Sequence, residues 1–285
     1  MHIKIVCKMS ECYGNSFILN GTLQPAEIFD NSRVYEGESI YEVLKMVGGV
    51  PVFFDDHAER LKTSVKLQKR KMLAEIGRIH SDIMTLSDSE KKREMNLKIV
   101  FNYNNSDENY LVYFIQPIYP TSEQYRKGVK GILFYAERKD PEAKVINHKL
   151  RSEIYHKLIL ENAYEALLVN KDNCITEGSR TNIFLIKDDK LVTAPEKVVL
   201  SGITRKHILE ICRESNIPVE FRCINAEDLG DYESVFMSGT SPVVLPFFRI
   251  GDTPFNINHE LIPFLRKLFL EKAEKSMNNF IENKM

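Results

Sequence analysis

Short apolar runs broken by polar turns fill most of the first third of the chain, and they predict strands. In "SFILNGTL" the pair Asn20-Gly21 separates two such runs, the strongest short-range hairpin signal, because both residues accept the positive φ of a tight turn. "SIYEVLKMVGGVPVFF" predicts a strand, a Gly-Gly turn and a second strand. The spacing then changes: in "DDHAERLKTSVKLQ", Ala58, Leu61, Val65 and Leu67 recur at roughly helical intervals behind an aspartate suited to a cap. A charged helix is expected through "SDSEKKREM", followed by two strands joined by an Asn-rich turn in "NLKIVFNYNNSDENYLVYFIQPIYP".

Later segments mix the same signals. "VKGILFYAERKD" predicts a strand, and "SEIYHKLILENA" a helix burying Ile154, Leu158 and Ile159. "YEALLVNKDNCITEGSRTNIFLIKDDKLVTA" predicts strands broken by Asn, Asp and Gly turns. "SGITRKHILEICRESN" predicts a helix, "SVFMSGTSPVVLP" two apolar runs around a small-residue loop, and "ELIPFLRKLFLEKAEKSMNNFIENK" a closing amphipathic helix packed on the core. The pattern predicts an α+β (mixed α/β) protein in two domains. Residues 1–119 form a small N-terminal α/β domain, 120–128 a linker within the proline-bearing "QPIYPTSEQYRKG", and 129–285 a larger domain.

Composition narrows the function. A formal net charge of −1 gives no electrostatic case for nucleic acid or an anionic membrane. The five cysteines, Cys7, Cys12, Cys174, Cys212 and Cys223, are irregularly spaced and suggest neither a zinc site nor a disulfide framework. The first residues lack the features of a secretion signal and no apolar run approaches a membrane span, so a cytoplasmic location is expected. GxGxxG, P-loop, GxSxG, HExxH and EF-hand patterns are all missing.

Three small-residue segments remain. "EGSRTNIFLI" puts Glu177 directly before a strand, either as the start of a turn or as the partner of a buried positive charge. In "LSGITR", Gly202 and Thr204 open a helix whose first amides have no intrahelical partner; such a start is either a simple cap or an anion site. In "MSGTSP", Ser238, Gly239, Thr240 and Ser241 supply a second cluster of donors. A ligand with a phosphate at one end and a protonatable ring nitrogen at the other would use all three. Pyridoxal 5'-phosphate is such a cofactor, and it also needs a lysine.

The ordered run "KVINHKL", "AYEALLVNKDNCITEGSRTNIFLI", "LSGITR" and "FMSGTSP", preceded by "YEGESIYEVLKMVGG" and "DDHAERLKTS", closely resembles the fold-type IV, class IV aminotransferases. That family includes branched-chain and D-amino acid aminotransferases and aminodeoxychorismate lyases. The resemblance implies a two-domain fold whose larger domain has a β-barrel-like core, pyridoxal phosphate as cofactor, an active site between the domains and a homodimer. It further implies that Arg60 holds the cofactor phosphate, rather than being a solvated helix arginine. Glu177 would pair with the ring nitrogen, Leu200 pack on the ring, and Ile203, Thr204, Gly239 and Thr240 cup the phosphate. Lys144 fits the family's K-x-x-N pattern with Asn147 and is the expected catalytic lysine, with Lys149 as the alternative.

For substrate, the resemblance places Tyr41 and Lys98 at the binding site. Tyr103 stands where D-amino acid enzymes carry an arginine, and Lys98 near an arginine of branched-chain enzymes. Glu42 replaces a small hydroxyl residue of the lyases. His57 is expected to be structural, and His148 lies beside Asn147. The implied function is amino transfer between an amino acid and a 2-keto acid, with branched-chain substrates favoured. Pyruvate elimination, D-amino acid transfer and ligand binding without turnover are the alternatives.

Overall fold

Asn20 and Gly21 adopt φ of 50° and 79° and close the first hairpin, pairing β1 (Ser16–Leu19) with β2 (Thr22–Pro25) as the sequence predicts. The computed structural model of the protein describes residues 10–90, 94–104 and 107–282. The N-terminal unit adds β3 (Glu38–Val47), β4 (Val50–Pro51), β5 (Met95–Asn104) and β6 (Asp107–Ile115). These strands form one antiparallel sheet in the order β2-β1-β6-β5-β3-β4. Helices α1 (Ser32–Tyr35), α2 (Phe54–Leu67) and α3 (Ile76–Ser89) accompany it.

Strand alternation decides what β3 offers to each side. Ile40, Glu42 and Leu44 face α2, where Ile40 and Leu44 join Ala58, Leu61, Val65, Ile79 and Ile83 in a shared core. Tyr41 and Val43 face the opposite way. Three details differ from the sequence reading. The cap of α2 is Phe53, left-handed at φ 54°, while Asp55 and Asp56 sit in the first turn, where negative charge favours the helix dipole. Leu67 is exposed, because it falls off the stripe of Ala58, Leu61 and Val65. The expected charged helix is also displaced: α3 follows the apolar positions Ile79, Ile83 and Leu86 and stops at Ser89, and residues 91–93 lie outside the described set.

Part of the proline-bearing connection is ordered as α4 (Ser122–Lys127), which starts on a reciprocal capping box between Thr121 and Gln124. The second unit contains β7 (Val129–Tyr135), β8 (Glu165–Val169), β9 (Cys174–Gly178), β10 (Asn182–Lys187) and β11 (Lys190–Thr193). It continues with β12 (Val219–Phe221), β13 (Ile224–Asn225), β14 (Ser234–Gly239), β15 (Val243–Ile250) and β16 (Thr253–Pro254). Their order is β12-β11-β10-β14-β15-β7-β8-β9-β13, with β16 on β15; the pairs β11–β12, β15–β7 and β7–β8 are parallel. Val192 of β11 and Ile224 of β13, from opposite ends of that order, share one core with Leu167, Leu185 and Phe247. The sheet therefore curls around an apolar interior, in keeping with the barrel-like expectation.

Its outer surface carries α5 (His148–Leu160), α6 (Ile203–Glu214) and α7 (Leu261–Glu282). Ile154 and Leu158 of α5 are buried, but Ile159 is 60% exposed, one position past the face that meets the sheet. Cys12, Cys174, Cys212 and Cys223 are free thiols, and Cys7 lies outside the described residues. Among the described residues no group of His, Cys, Asp and Glu could hold a metal ion, and no helix is long and apolar enough to cross a membrane.

The two units meet where α6 and α7 pack against Phe53, Asp56 and the N-terminal core, and along the part of β3 that β4 leaves free. Val145 bridges Ile40; the Tyr41 amide donates to the Lys144 carbonyl at 3.0 Å, and the Ile146 amide donates to the Ser39 carbonyl at 2.9 Å. This short extended segment belongs to the second unit by sequence and to the first sheet by hydrogen bonding.

Candidate active site

A cleft of about 280 Å³ opens where the segment around Lys144 crosses β3. The carboxylate Glu177 ends β9, and it is 4% exposed. Its Oε1 accepts from Arg138 Nη1 at 2.9 Å and its Oε2 from the Leu200 amide at 3.1 Å. Burial pushes this carboxyl above its ordinary value, while Arg138, the Leu200 amide and Lys144 pull against that rise. A buried carboxylate in this state gains from a further proton-bearing partner, which suits it to a ring nitrogen.

Lys144 lines the same cleft. Its amide donates to Ser64 Oγ at 3.2 Å, and its Nζ lies 4.9 Å from the centre of the Tyr41 ring. Desolvation pulls the ammonium below its ordinary value; Tyr41 and Glu42 oppose that, and Arg60 and Arg138 reinforce it. Such an amine is neutral more readily than a surface lysine and can act as nucleophile or base. Asn147 caps α5 by accepting from the Leu150 amide at 3.1 Å, so the K-x-x-N spacing has a plain cause: the lysine rides the last extended residues before a capped helix. Lys149 is exposed on α5 and does not line the cleft. His148 is also outside the lining and packs edge-on against Tyr35 at 4.0 Å.

The far end of the cleft is a cup of donors. Gly202 precedes α6 and offers no side-chain cap, leaving the first amides of that helix open. Thr204, Ser238, Gly239, Thr240 and Ser241 line the same end. The Ser238 hydroxyl is buried and unpartnered among the described residues, an unmet donor in a site that needs one. A Cβ on Gly202 would collide with Asn182 Oδ1, and Asn182 Nδ2 holds the Leu200 carbonyl at 2.9 Å. The absent side chain thus keeps both the cup and the Leu200 loop in place. Cup, lysine and buried carboxylate match the phosphate, aldehyde and ring nitrogen of pyridoxal phosphate.

Arg60 lines the cleft near the start of α6, donating from Nη1 to the Ser201 carbonyl at 3.1 Å. Its Nε and Nη2 are taken by Glu42, at 2.8 and 2.6 Å. His57 Nδ1 meets the same carboxylate at 2.8 Å, and burial holds His57 below its ordinary value, so a neutral ring donates. His57 thus has the structural place expected of it. Leu200 and Ile203 line the cleft, and the Leu200 amide donates to Glu177.

Tyr41 faces the cleft, but Lys98 lies behind it, fully enclosed. Lys98 Nζ pairs with Glu11 at 2.7 Å and faces the rings of Tyr35, Tyr41 and Tyr113. It does not line the cavity, so the structure puts it under the binding surface rather than on it. Tyr103 points into the N-terminal core and donates to the Lys71 carbonyl at 2.7 Å.

Two participants escape sequence reading. Arg138, in the loop after β7, pairs with Glu177 across 39 positions and also donates to the Ala143 carbonyl at 2.8 Å. The only signal was a basic residue shortly before Lys144. Glu165 is fully buried and accepts from the Ala166 and Ser179 amides at 2.8 and 3.1 Å, and from the hydroxyls of Ser179 at 2.5 Å and Thr181 at 3.1 Å. It fixes the turn that follows Glu177, and in "YEALLV" it reads as an ordinary strand residue.

The family model for amino-transferase class IV matches residues 39–250. A D-alanine aminotransferase of Bacillus licheniformis is 24% identical over 233 residues, covering 75% of this chain and 79% of that protein. A probable branched-chain-amino-acid aminotransferase of Thermotoga maritima is 24% identical over 246 residues, covering 86% and 88%. The fold is shared with a branched-chain aminotransferase from the thermophilic archaeon Thermoproteus uzoniensis, solved with norvaline, at a TM-score of 0.81 and 19% identity over 93% of this chain and 98% of that one.

Proposed function

Because the chain belongs to the class IV aminotransferase family, we propose that its cleft uses pyridoxal 5'-phosphate to move an amino group between a branched-chain-type amino acid and a 2-keto acid. One observation carries the reading: Lys144, with its amine below the ordinary value, faces the same cleft as Glu177 and the donor cup of Thr204, Ser238 and Thr240. The cup and Arg60 would take the phosphate, and Glu177 the ring nitrogen. When bound, the cofactor supplies the electron sink that makes the substrate Cα–H acidic. Lys144 would then serve as the base at Cα, and desolvation, which lowers its proton affinity, favours return of that proton. Arg138 and the Leu200 amide keep Glu177 aimed while the proton moves.

The branched-chain preference draws on the apolar lining: Val43, Ile115, Ile118, Leu150 and Ile154 border the cleft and suit an aliphatic side chain. The proteins similar to this chain that are named for branched-chain substrates support the same class. A homodimer in the cytoplasm is the corresponding expectation.

The test is the visible spectrum of the protein loaded with pyridoxal phosphate, before and after borohydride, for wild type and Lys144→Ala. The expected result is a protein-linked, reduced cofactor in wild type and none in the variant. Failure of the wild type to fix the cofactor would sink the catalytic reading. Activity with leucine, D-alanine and aminodeoxychorismate then separates branched-chain transfer from D-amino acid transfer and from elimination.

A further inference from the structure

The cleft-lining arginines are not equally committed. Arg60 is forked onto Glu42, Arg138 is divided between Glu177 and the Ala143 carbonyl, and exposed Arg180 donates to the Tyr164 carbonyl at 3.3 Å. Arg151 stands apart. It lies in the first turn of α5, its amide bonded to the Asn147 carbonyl at 3.1 Å, and it lines the cleft beside Leu150 and Ile154. Among the described residues its guanidinium makes no hydrogen bond or ion pair.

The acid that would be expected to neutralise Arg151 is already used. Glu11 accepts from Lys98 at 2.7 Å and from the hydroxyls of Tyr35 and Tyr113 at 2.7 and 2.9 Å. Lys98 and Glu11 cancel, and Arg151 remains as net positive charge at the cleft surface. Its strongest electrostatic neighbour is Tyr41, on the same wall as Lys144. The Tyr41 hydroxyl is pushed up by burial but pulled down further by Lys144, Arg151, Arg138 and Lys98, to about 8. A phenol so acidified is a strong donor to an anion.

We propose that Arg151, with the Tyr41 hydroxyl, holds the α-carboxylate of the amino acid and keto acid substrates, the part that Lys98 cannot play from behind the wall. The proposal rests on the aminotransferase reading of the cleft and adds its substrate-anchoring residue. A guanidinium fork from α5 meets a carboxylate in two parallel bonds, which a lysine cannot do. Anchoring from this side sets the carboxylate at the Tyr41 end and leaves the phosphate cup to the cofactor.

The probe is propionate, a carboxylate without an amino group, added to cofactor-loaded protein and followed by saturation-transfer NMR and by the cofactor's visible absorption. Arg151→Gln is expected to weaken propionate at least tenfold and Arg151→Lys to recover part of it, with the unfolding midpoint unchanged because the side chain is exposed. In half-reactions with leucine, KM should rise by a similar factor while kcat stays within threefold. A purely structural role would lower kcat as well, or shift the unfolding midpoint. Equal propionate affinity in wild type and Arg151→Gln, or no propionate binding by wild type, would overturn the proposal. Loss of propionate in Arg151→Gln without any amino transfer by wild type would retain the anion site and reject the aminotransferase reading.

Discussion

Arg138 Nη1 and Glu177 Oε1 meet at 2.9 Å at the edge of the cleft, joining the loop after β7 to the end of β9. The guanidinium keeps charged a carboxylate that burial would otherwise neutralise. Replacing Arg138 by Gln removes that opposing charge, so the Glu177 carboxyl should rise still further. The acid limb of kcat/KM against pH is expected to move to higher pH, with activity at neutral pH down on the order of tenfold or more, as for a lost charge contact of about 1.4 kcal/mol. Arg138→Lys should lie between. An unmoved acid limb in the glutamine variant would separate Arg138 from the ionisation of Glu177.

Glu42 gives a prediction about stability. Burial pushes its carboxyl up, but Arg60 and His57 pull it down further, from 4.5 to about 2. A depressed carboxyl stabilises the fold above its unfolded value and loses that contribution as pH falls through its folded value. Urea unfolding should therefore show a loss on the order of 3 kcal/mol between pH 4.5 and 2 that Glu42→Gln lacks. At pH 7 the variant should itself be less stable by roughly 3 kcal/mol, since it leaves Arg60 buried without its partner.

Gly202→Ala addresses the cup. The added methyl collides with Asn182 Oδ1, forcing Asn182 off the Leu200 carbonyl and shifting the start of α6. We expect the protein to fold, with pyridoxal phosphate affinity reduced at least tenfold in a fluorescence titration of the cofactor-free chain. Asn182→Ala together with Gly202→Ala should regain part of that loss, because the clash is relieved.

Tyr41→Phe tests the phenol. Above a pH of about 8 the Tyr41 hydroxyl becomes an anion and repels a substrate carboxylate. KM for amino acid substrates should rise above that pH in wild type and stay flat in the phenylalanine variant, at the cost of a higher KM below it. The measurement is the pH dependence of KM for both proteins.

Local features were legible in the sequence for physical reasons. The Asn20-Gly21 hairpin is encoded by two residues that accept positive φ, and the helix after Gly202 by a small-residue start followed by apolar positions at helical spacing. Lys144 was legible because its spacing to Asn147 reflects a helix cap. What spacing cannot encode is which charges cancel across the fold. Lys98 reads as a cation on a strand until Glu11, 87 positions away, takes its ammonium. Arg138 and Glu165 were likewise hidden, since each acts through a partner brought near by sheet pairing rather than by sequence. Leu67 and Ile159 show the same limit in the core: periodicity marks a face, and the neighbouring element decides where that face ends.

The backbone bonds that lash the Lys144 segment to β3 make the lysine a clasp between the two units. If the units swung apart as rigid bodies, the clasp would either tear free of Ser39 and Tyr41 or carry the amine away from Glu177 and the cup. Admission of substrate by such a hinge would disarm the site each time. Reactive geometry and structural cohesion are thus one property here, lost together when the clasp is cut.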